Sequence, residues 1–427
     1  MALETLLGPN NLPLDHAKAV SLRTEQPITS GPVTRAWFSP SYVSCCMAEF
    51  TKLVPEYVRT LAGYTPGKPV RQAEQESGVR CIKMASNENP FGPSPRAVEA
   101  IRAAAEQANY YPDNDTVDLR LKLAERFQVK AEQVLVTAGS TELINDLARI
   151  LLRPGLNAIT SRLSFIIYPI ASKASGGQLI EIPMRDSSYD LDAIAAAIDK
   201  NTRLIYLANP NNPTGTIFDA AELDRFLERV PENVIVALDE AYSDFATHFA
   251  AARGAVYSHA LQYVRAGRQN LVVLRTFSKA HGLAGLRVGY GCGTAELMGY
   301  LGRVRTTFSV SSGAQAGALA ALEDEPHVRR ALENNAAGAS YLTRAMADMG
   351  YRVPPTWANF IYVDIGEEAA PVARRLQEEG VIIRPLAPWG APNAIRVTIG
   401  TPEQNESFVS AFRKVMKVPS GEYQVPR

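Results

Sequence analysis

The sequence predicts an α/β protein in which a large domain, built on a mostly parallel sheet covered by helices, is joined to a smaller α/β domain. Three observations carry this. At 427 residues the chain exceeds the size that one hydrophobic core usually reaches. From Gln133 onward, short apolar strand-like runs alternate with helical stretches, the pattern of parallel strands joined by crossover helices. After about Pro326 the order changes to a long helix followed by strands in closer succession. The expected division is residues 1–46 as a flexible leader or extension, 47–95 with 326–416 as the small domain, 96–325 as the large domain, and 417–427 as a tail.

Taken in order, residues 1 to about 46 mix polarities, carry several prolines and show no clean period, and Met47 opens a more regular stretch. A leader and an over-extended start both fit. Residues 61–68 form a turn-rich loop with one aromatic, Tyr64. A short strand at 82–84 ends in a rigid polar turn containing Asn87 and Asn89-Pro90. Ser94 is a good N-cap and Pro95 suits the first helical position, so a helix runs to about Gln107. A loop around Tyr110-Tyr111 precedes a helix that ends near Phe127.

The alternation then begins with a strand at 134–137 and a helix whose Leu143, Ile144, Leu147, Ile150 and Leu151 recur at helical spacing. Strands follow at 158–160, 204–208, 234–238 and 271–274, with helices around 168–175, 220–229 and 256–266. The last region reads as a helix stopped at Gly350, a strand at 360–363, a helix closed by Gly380, and strands at 381–384 and 395–399. Thr401-Pro402-Glu403-Gln404 is a capping box that opens a final helix.

Composition narrows the function. Lys+Arg and Asp+Glu balance at 44 each, so no electrostatic case exists for nucleic acid or an anionic membrane. The four cysteines form no CxxC pair and no metal-ligand spacing, which fits reduced thiols in a cytoplasmic protein and no metal centre. No apolar run reaches transmembrane length, and the first residues lack the flank and core of a signal peptide.

The chemistry centres on Phe277-Ser278-Lys279-Ala280-His281-Gly282, which follows an apolar strand and precedes Arg287 and Gly289. Lys279 sits among small residues with no acid nearby, while Ser278 and Arg287 can bind an anion beside it. A lysine next to a phosphate-type site suits pyridoxal phosphate (PLP), which needs an amine for its Schiff base and a cradle for its phosphate. Gly139-Ser140-Thr141, between a strand and a helix start, favours a phosphate, although Ser140 as an ordinary N-cap fits equally. Asn209-Pro210-Asn211-Asn212-Pro213-Thr214-Gly215 is far more specific than a turn requires. It lies at a strand's C-terminal end, where α/β sheets bind ligands. Asp239 ends a strand, where its carboxylate can keep a pyridine nitrogen protonated, and Tyr242 follows three residues on. Taken alone that pair also suits a capping Asp and a half-buried Tyr. Phe165 offers a flat stacking surface or simple core packing.

Together these motifs follow the order of the fold-type-I PLP-dependent aminotransferases, and the chain is most similar to the histidinol-phosphate aminotransferase family. The resemblance spans roughly residues 50–415, through Ser86-Asn87-Glu88-Asn89-Pro90-Phe91-Gly92-Pro93, Tyr111-Pro112-Asp113, the segment 277–287 and Arg396-Val397-Thr398-Ile399-Gly400-Thr401. It implies a homodimer that transfers an amino group from a small-molecule donor to a 2-oxo acid such as 2-oxoglutarate. Lys279 forms the Schiff base and shuttles the proton, Asp239 pairs with the pyridinium, and Asn212 and Tyr242 meet the phenolic oxygen. Phe165 stacks on the ring. Ser140, Thr141, Ser278 and Arg287 hold the phosphate, joined by Tyr111 of a second copy. Arg396 clamps a carboxylate, and its strand neighbours Ile395 and Val397 share the opposite face. Tyr64, Asn87 and Arg384 match substrate-binding positions, with Tyr64 and Arg384 on the donor's phosphate. His281 reads as a packing residue beside the site.

One segment departs from the family pattern. Where members carry Pro-Phe-Asn-Val after an arginine, this chain has Arg305-Thr306-Thr307-Phe308-Ser309-Val310-Ser311. The same scaffold also serves aromatic amino-acid transamination, decarboxylation and oxidation. Transcription regulators with an aminotransferase-like domain add a basic winged-helix domain, for which residues 1–60 are too short and too neutral.

Overall fold

Strand β1 (Ile82–Lys83) lies apart from the main sheet, which is made by the next seven strands of the chain. These are β2 (Val134–Thr137), β3 (Asn157–Ser161), β4 (Gln178–Ile182), β5 (Thr202–Ala208), β6 (Ile235–Asp239), β7 (Leu271–Thr276) and β8 (Gly289–Cys292). Their order is β2-β8-β7-β6-β5-β3-β4; only β8 runs antiparallel to its neighbours. The sheet is therefore mostly parallel, as the alternation predicts. Helices cover it, so β2, β3 and β8 are buried along their whole length and read as continuous apolar or small-residue runs. The computed structural model describes residues 52–258 and 260–418. Pro55 onward belongs to one compact unit. The expected leader, 1–46, falls outside the described residues, as does most of the tail.

The C-terminal region builds two further sheets. Strands β9 (Phe360–Asp364), β11 (Arg384–Leu386) and β12 (Ala391–Thr398) pair antiparallel in the order β11-β12-β9, while β10 (Val381–Ile382) pairs parallel with β1. The single strand expected at 381–384 is thus two short strands serving different sheets. Helices Glu325–Asp348, Ala369–Glu378 and Pro402–Met416 contribute to a second core around Phe360, Val363, Leu376, Phe408 and Phe412. Thr401 Oγ1 accepts from Gln404 N, and Gln404 Oε1 accepts from Thr401 N, completing the expected capping box.

Other differences have local causes. Edge strand β4 exposes Gln178 and Glu181, so its polarity hides it. The helix expected over 256–266 is Ala260–Arg265, preceded by irregular chain at 255–258. Helix Ser312–Leu322 is mostly alanine and glycine, which leaves no apolar period to read. Its small residues permit close packing on helix Pro95–Ala105: a Cβ on Gly317 would lie 2.9 Å from Ile101. No helix among the described residues is long and apolar enough to cross a membrane.

Candidate active site

The C-terminal ends of β5, β6 and β7 converge because the strands are parallel and in register, with Asp239 opposite Ala208 on one side and Leu274 on the other. The loops that leave these ends carry Asn212, Tyr242 and Lys279. They open into a cavity of about 260 Å³, which also takes residues from β11, β12 and the loops before helix Pro95–Ala105. Tyr64, Asn87, Ser140, Thr141, Phe165 and Asn212 line it, as do Asp239, Tyr242, Ser278, Lys279, Arg287, Arg384 and Arg396. Tyr111 alone of the expected residues does not. It is 82% exposed and stacks on Phe308, with ring centroids 4.7 Å apart.

One end of the cavity is built for an anion. Helix Ser140–Leu151 starts without a side-chain cap; its N-cap is Gly139, with φ +82°, not Ser140. Ser140 and Thr141 therefore present hydroxyls at an uncapped, positive helix end. Arg287 Nη1 reaches Ser278 Oγ at 3.3 Å. Space is closed on this side: a Cβ on Gly139 would lie 2.6 Å from Arg287 Nη2, and one on Gly289 would lie 2.5 Å from Ser140 N.

At the sheet's centre Asp239 is 5% exposed. Its Oδ2 accepts from the Tyr168 hydroxyl at 3.0 Å and its Oδ1 from Ala241 N at 3.1 Å. Burial raises its pKa to about 6, opposed by the Tyr168 hydrogen bond. Tyr168 is fully buried, stacked on Tyr206 at 4.7 Å and edge-on to Phe165 at 5.6 Å. Sequence reasoning missed its role. The available signal was spacing, since Tyr168 follows Phe165 by three residues, Phe165 just before and Tyr168 within the first turn of helix Ile167–Ala174.

Lys279 Nζ donates to the Ser86 carbonyl at 3.3 Å and lies 5.5 Å from the centre of the Tyr242 ring. Burial, reinforced by the charge of Arg396, lowers its pKa to about 8. Asn87 Nδ2 donates to the Tyr242 hydroxyl at 2.8 Å. Asn87 is held at φ +58°, a conformation asparagine tolerates, and is tied to Thr398 and Asn359. Within the Asn-Pro loop, Asn209 and Asn211 serve the fold by bonding Phe218, Leu163 and Thr214. Asn212 instead faces the cavity, where its Oδ1 accepts from Arg396 Nη1 at 2.5 Å.

Arg384 and Arg396 are paired across β11 and β12, so both side chains emerge on one face. Both are buried, at 8% and 5% exposure. Among the described residues neither has a carboxylate within salt-bridge distance. Arg384 Nη2 donates to the Thr65 carbonyl and Arg396 Nη2 to the Ala85 carbonyl, each at 2.7 Å. Burial lowers the pKa of both, that of Arg396 to about 10. His281 lies outside the cavity lining, with its ring 5.0 Å from Phe277 and its Nδ1 unpartnered.

The arrangement fits PLP on the chain's own terms. An anion cradle, a buried carboxylate that forms no salt bridge among the described residues, a flat aromatic face and a buried lysine share one cavity.

Known proteins match this picture. The family model "Aminotransferase class I and II" matches residues 79–412. Histidinol-phosphate aminotransferase of Moorella thermoacetica is 44% identical over 362 residues, covering 84% of this chain and 92% of that protein. Histidinol-phosphate aminotransferase 2 of Pseudomonas fluorescens is 45% identical over 370 residues, covering 86% and 98%. Among solved structures, histidinol-phosphate aminotransferase from Sinorhizobium meliloti in complex with pyridoxal-5'-phosphate aligns with a TM-score of 0.76 at 27% identity. That alignment covers 85% of this chain and 97% of that one.

Proposed function

The chain belongs to the class I and II aminotransferases, in the histidinol-phosphate aminotransferase family, and on that premise we propose that it uses PLP to move the amino group of histidinol phosphate to 2-oxoglutarate in histidine biosynthesis. The observation that carries the substrate reading is the pair of buried guanidiniums, Arg384 and Arg396, beside Lys279, neither of which has a carboxylate within salt-bridge distance among the described residues. A buried unpaired cation is costly unless a ligand supplies the counter-charge. Two such cations suit ligands that bring two negative charges, as a phosphate dianion or a pair of carboxylates does.

When bound, PLP supplies a carbon that links to amines and a protonated ring that accepts the electron pair released as the donor's Cα–H bond breaks. Ser140, Thr141, Ser278 and Arg287 hold its phosphate at the helix end. Asp239 stays ionised near neutral pH and keeps the ring nitrogen protonated, while the Tyr168 hydrogen bond fixes the orientation of its carboxylate. Phe165 covers a ring face and excludes water there. With Oδ1 occupied by Arg396, Asn212 has its Nδ2 left to donate to the phenolic oxygen, beside the Tyr242 hydroxyl. Lys279 carries the proton away from Cα, and a pKa near 8 suits an amine that must both accept and return it. Arg396 grips a carboxylate, while Arg384 and Tyr64 grip the donor's phosphate.

The same reading places the enzyme in the cytoplasm as a homodimer in which Tyr111 reaches the second copy's phosphate site. It assigns 47–95 with 326–416 to a small domain and 96–325 to a large one. Of the departure at 305–311, Thr306, Thr307, Phe308 and Ser309 lie outside the lining of their own chain's cavity, and Phe308 stacks on Tyr111. Ser309 Oγ instead donates to Glu142 at 3.1 Å. The test is kcat/KM for histidinol phosphate against histidinol. A charge-assisted phosphate contact contributes about 1.5–3 kcal/mol, so the phosphorylated donor leads by roughly one to two orders of magnitude. Equal use of the two removes the histidinol-phosphate reading and leaves the aminotransferase standing.

A further inference from the structure

Trp389 belongs to none of the motifs above, yet it lines the same cavity as Lys279 and both arginines. It closes the short 3-10 turn Ala387–Trp389 between β11 and β12, and Gly390 at φ +83° turns the chain back into β12. The indole is 9% exposed and packs with Tyr362, Leu386 and Ala394. Its face lies under the Arg384 guanidinium at 4.9 Å, with that of Arg396 at 6.0 Å.

The energetics of this corner are unusual. Arg384 and Arg396 stand directly opposite each other across two strands, an arrangement that like charges oppose. Each is buried and lacks a carboxylate among the described residues. The negative face of an indole is then a principal source of compensation for Arg384 and supplements its one backbone acceptor, Thr65. The contact is also directional, because a guanidinium stacks flat on a ring that the turn holds rigidly.

Resting on the substrate reading above, we propose that Trp389 is a positioning residue for phosphate recognition: its indole face holds the Arg384 guanidinium at the donor cavity, apart from Arg396, so that each arginine meets a different anionic group. The device selects for donors with an anion at the far end. Without the indole, Arg384 loses its platform and is free to turn away from the cavity, while Arg396 keeps its bonds to Asn212 and Ala85.

The test compares histidinol phosphate with histidinol on the PLP-loaded full chain, as wild type, Trp389→Phe and Trp389→Leu. Removing a desolvated cation–π contact lowers the wild-type preference for the phosphorylated donor roughly tenfold in Trp389→Leu, with the loss in KM rather than kcat. Trp389→Phe keeps a π face and recovers most of the preference, which a residue acting by bulk alone does not explain. Unfolding midpoints identify a variant that fails to fold, and Trp389→Met then replaces Trp389→Leu as the ring-free probe. A preference that survives in the ring-free variant, with both donors weakened alike, overturns the positioning role and leaves the substrate reading intact. A wild type with no preference overturns the substrate reading, and this inference falls with it.

Discussion

Asp239 shows how a residue can oppose stability and serve chemistry at once. Its carboxyl has a pKa near 6 in the folded chain and an ordinary value of 3.8. The folded state therefore holds the extra proton between those values, and stability falls as pH rises through that window. At neutral pH without cofactor, Asp239→Asn removes a buried charge and can keep hydrogen bonds to both Ala241 and Tyr168. The cofactor-free variant then unfolds at a higher temperature than wild type, while the loaded variant loses turnover by orders of magnitude because the ring nitrogen loses its anionic partner. A lower midpoint for cofactor-free Asp239→Asn would show that Asp239 is no burden to the fold. Lys279 gives the complementary prediction. Its folded pKa lies near 8 against an ordinary 10.5, so the cofactor-free chain captures PLP about tenfold faster per pH unit up to roughly pH 8, then levels off. Stopped-flow absorbance reads the profile, and borohydride reduction followed by peptide mapping finds the label on Lys279. Capture that keeps accelerating to pH 10, or a label elsewhere, contradicts the assignment.

At the scale of elements, the site depends on how tightly β8 packs against the start of helix Ser140–Leu151. A Cβ at residue 289 would meet Ser140 N at 2.5 Å and the Arg275 carbonyl at 2.9 Å, both backbone atoms that cannot swing aside. Gly289→Ala must therefore shift strand or helix. The expected outcome is a folded protein whose PLP dissociation constant, read by fluorescence titration, rises at least about tenfold through loss of cradle geometry. Unchanged affinity would mean that the phosphate does not sit at this helix end. This packing also explains what was legible in the sequence. Strands buried on both faces, such as β5 and β7, stand out as apolar runs, whereas edge strand β4 and the alanine-rich helix Ser312–Leu322 carry no such contrast. Residues held in dense local motifs, including Asp239, Asn212, Lys279 and Arg287, could be named from their neighbours. Tyr168 and Trp389 could not: Tyr168 acts through Asp239, which is distant along the chain, and Trp389 meets the nearby Arg384 only because the 3-10 turn between β11 and β12 brings the indole under the guanidinium. Gly139 in place of Ser140 at the N-cap was likewise invisible, since backbone conformation decides it.

For the whole molecule the open element is Tyr111, which lies apart from its own chain's cavity with 82% of its surface exposed. It is nonetheless well supported. Phe308 stacks on it from a positive-φ position, Phe308 N donates to Asn114 Oδ1 at 2.9 Å, and Arg305 donates to the Asn114 carbonyl at 2.5 Å. An exposed, braced aromatic beside exposed Tyr110 has the character of an interface residue rather than a loose loop. If Tyr111 completes the site of a second copy, two defective chains can complement each other. One chain carries Tyr111→Ala and the other Lys279→Ala, coexpressed with different affinity tags and purified for the mixed dimer. In that dimer the site containing Lys279 receives an intact Tyr111 from its partner, while the other site carries both defects. One native site per dimer results, so at a PLP concentration that fills native sites but not Tyr111-deficient ones the mixed dimer shows about half the wild-type turnover and one site of wild-type PLP affinity. If Tyr111 served its own chain, every site would hold one defect. The mixed dimer would then have no site of native affinity, and neither activity nor tight PLP binding would rise above that of the separate variants.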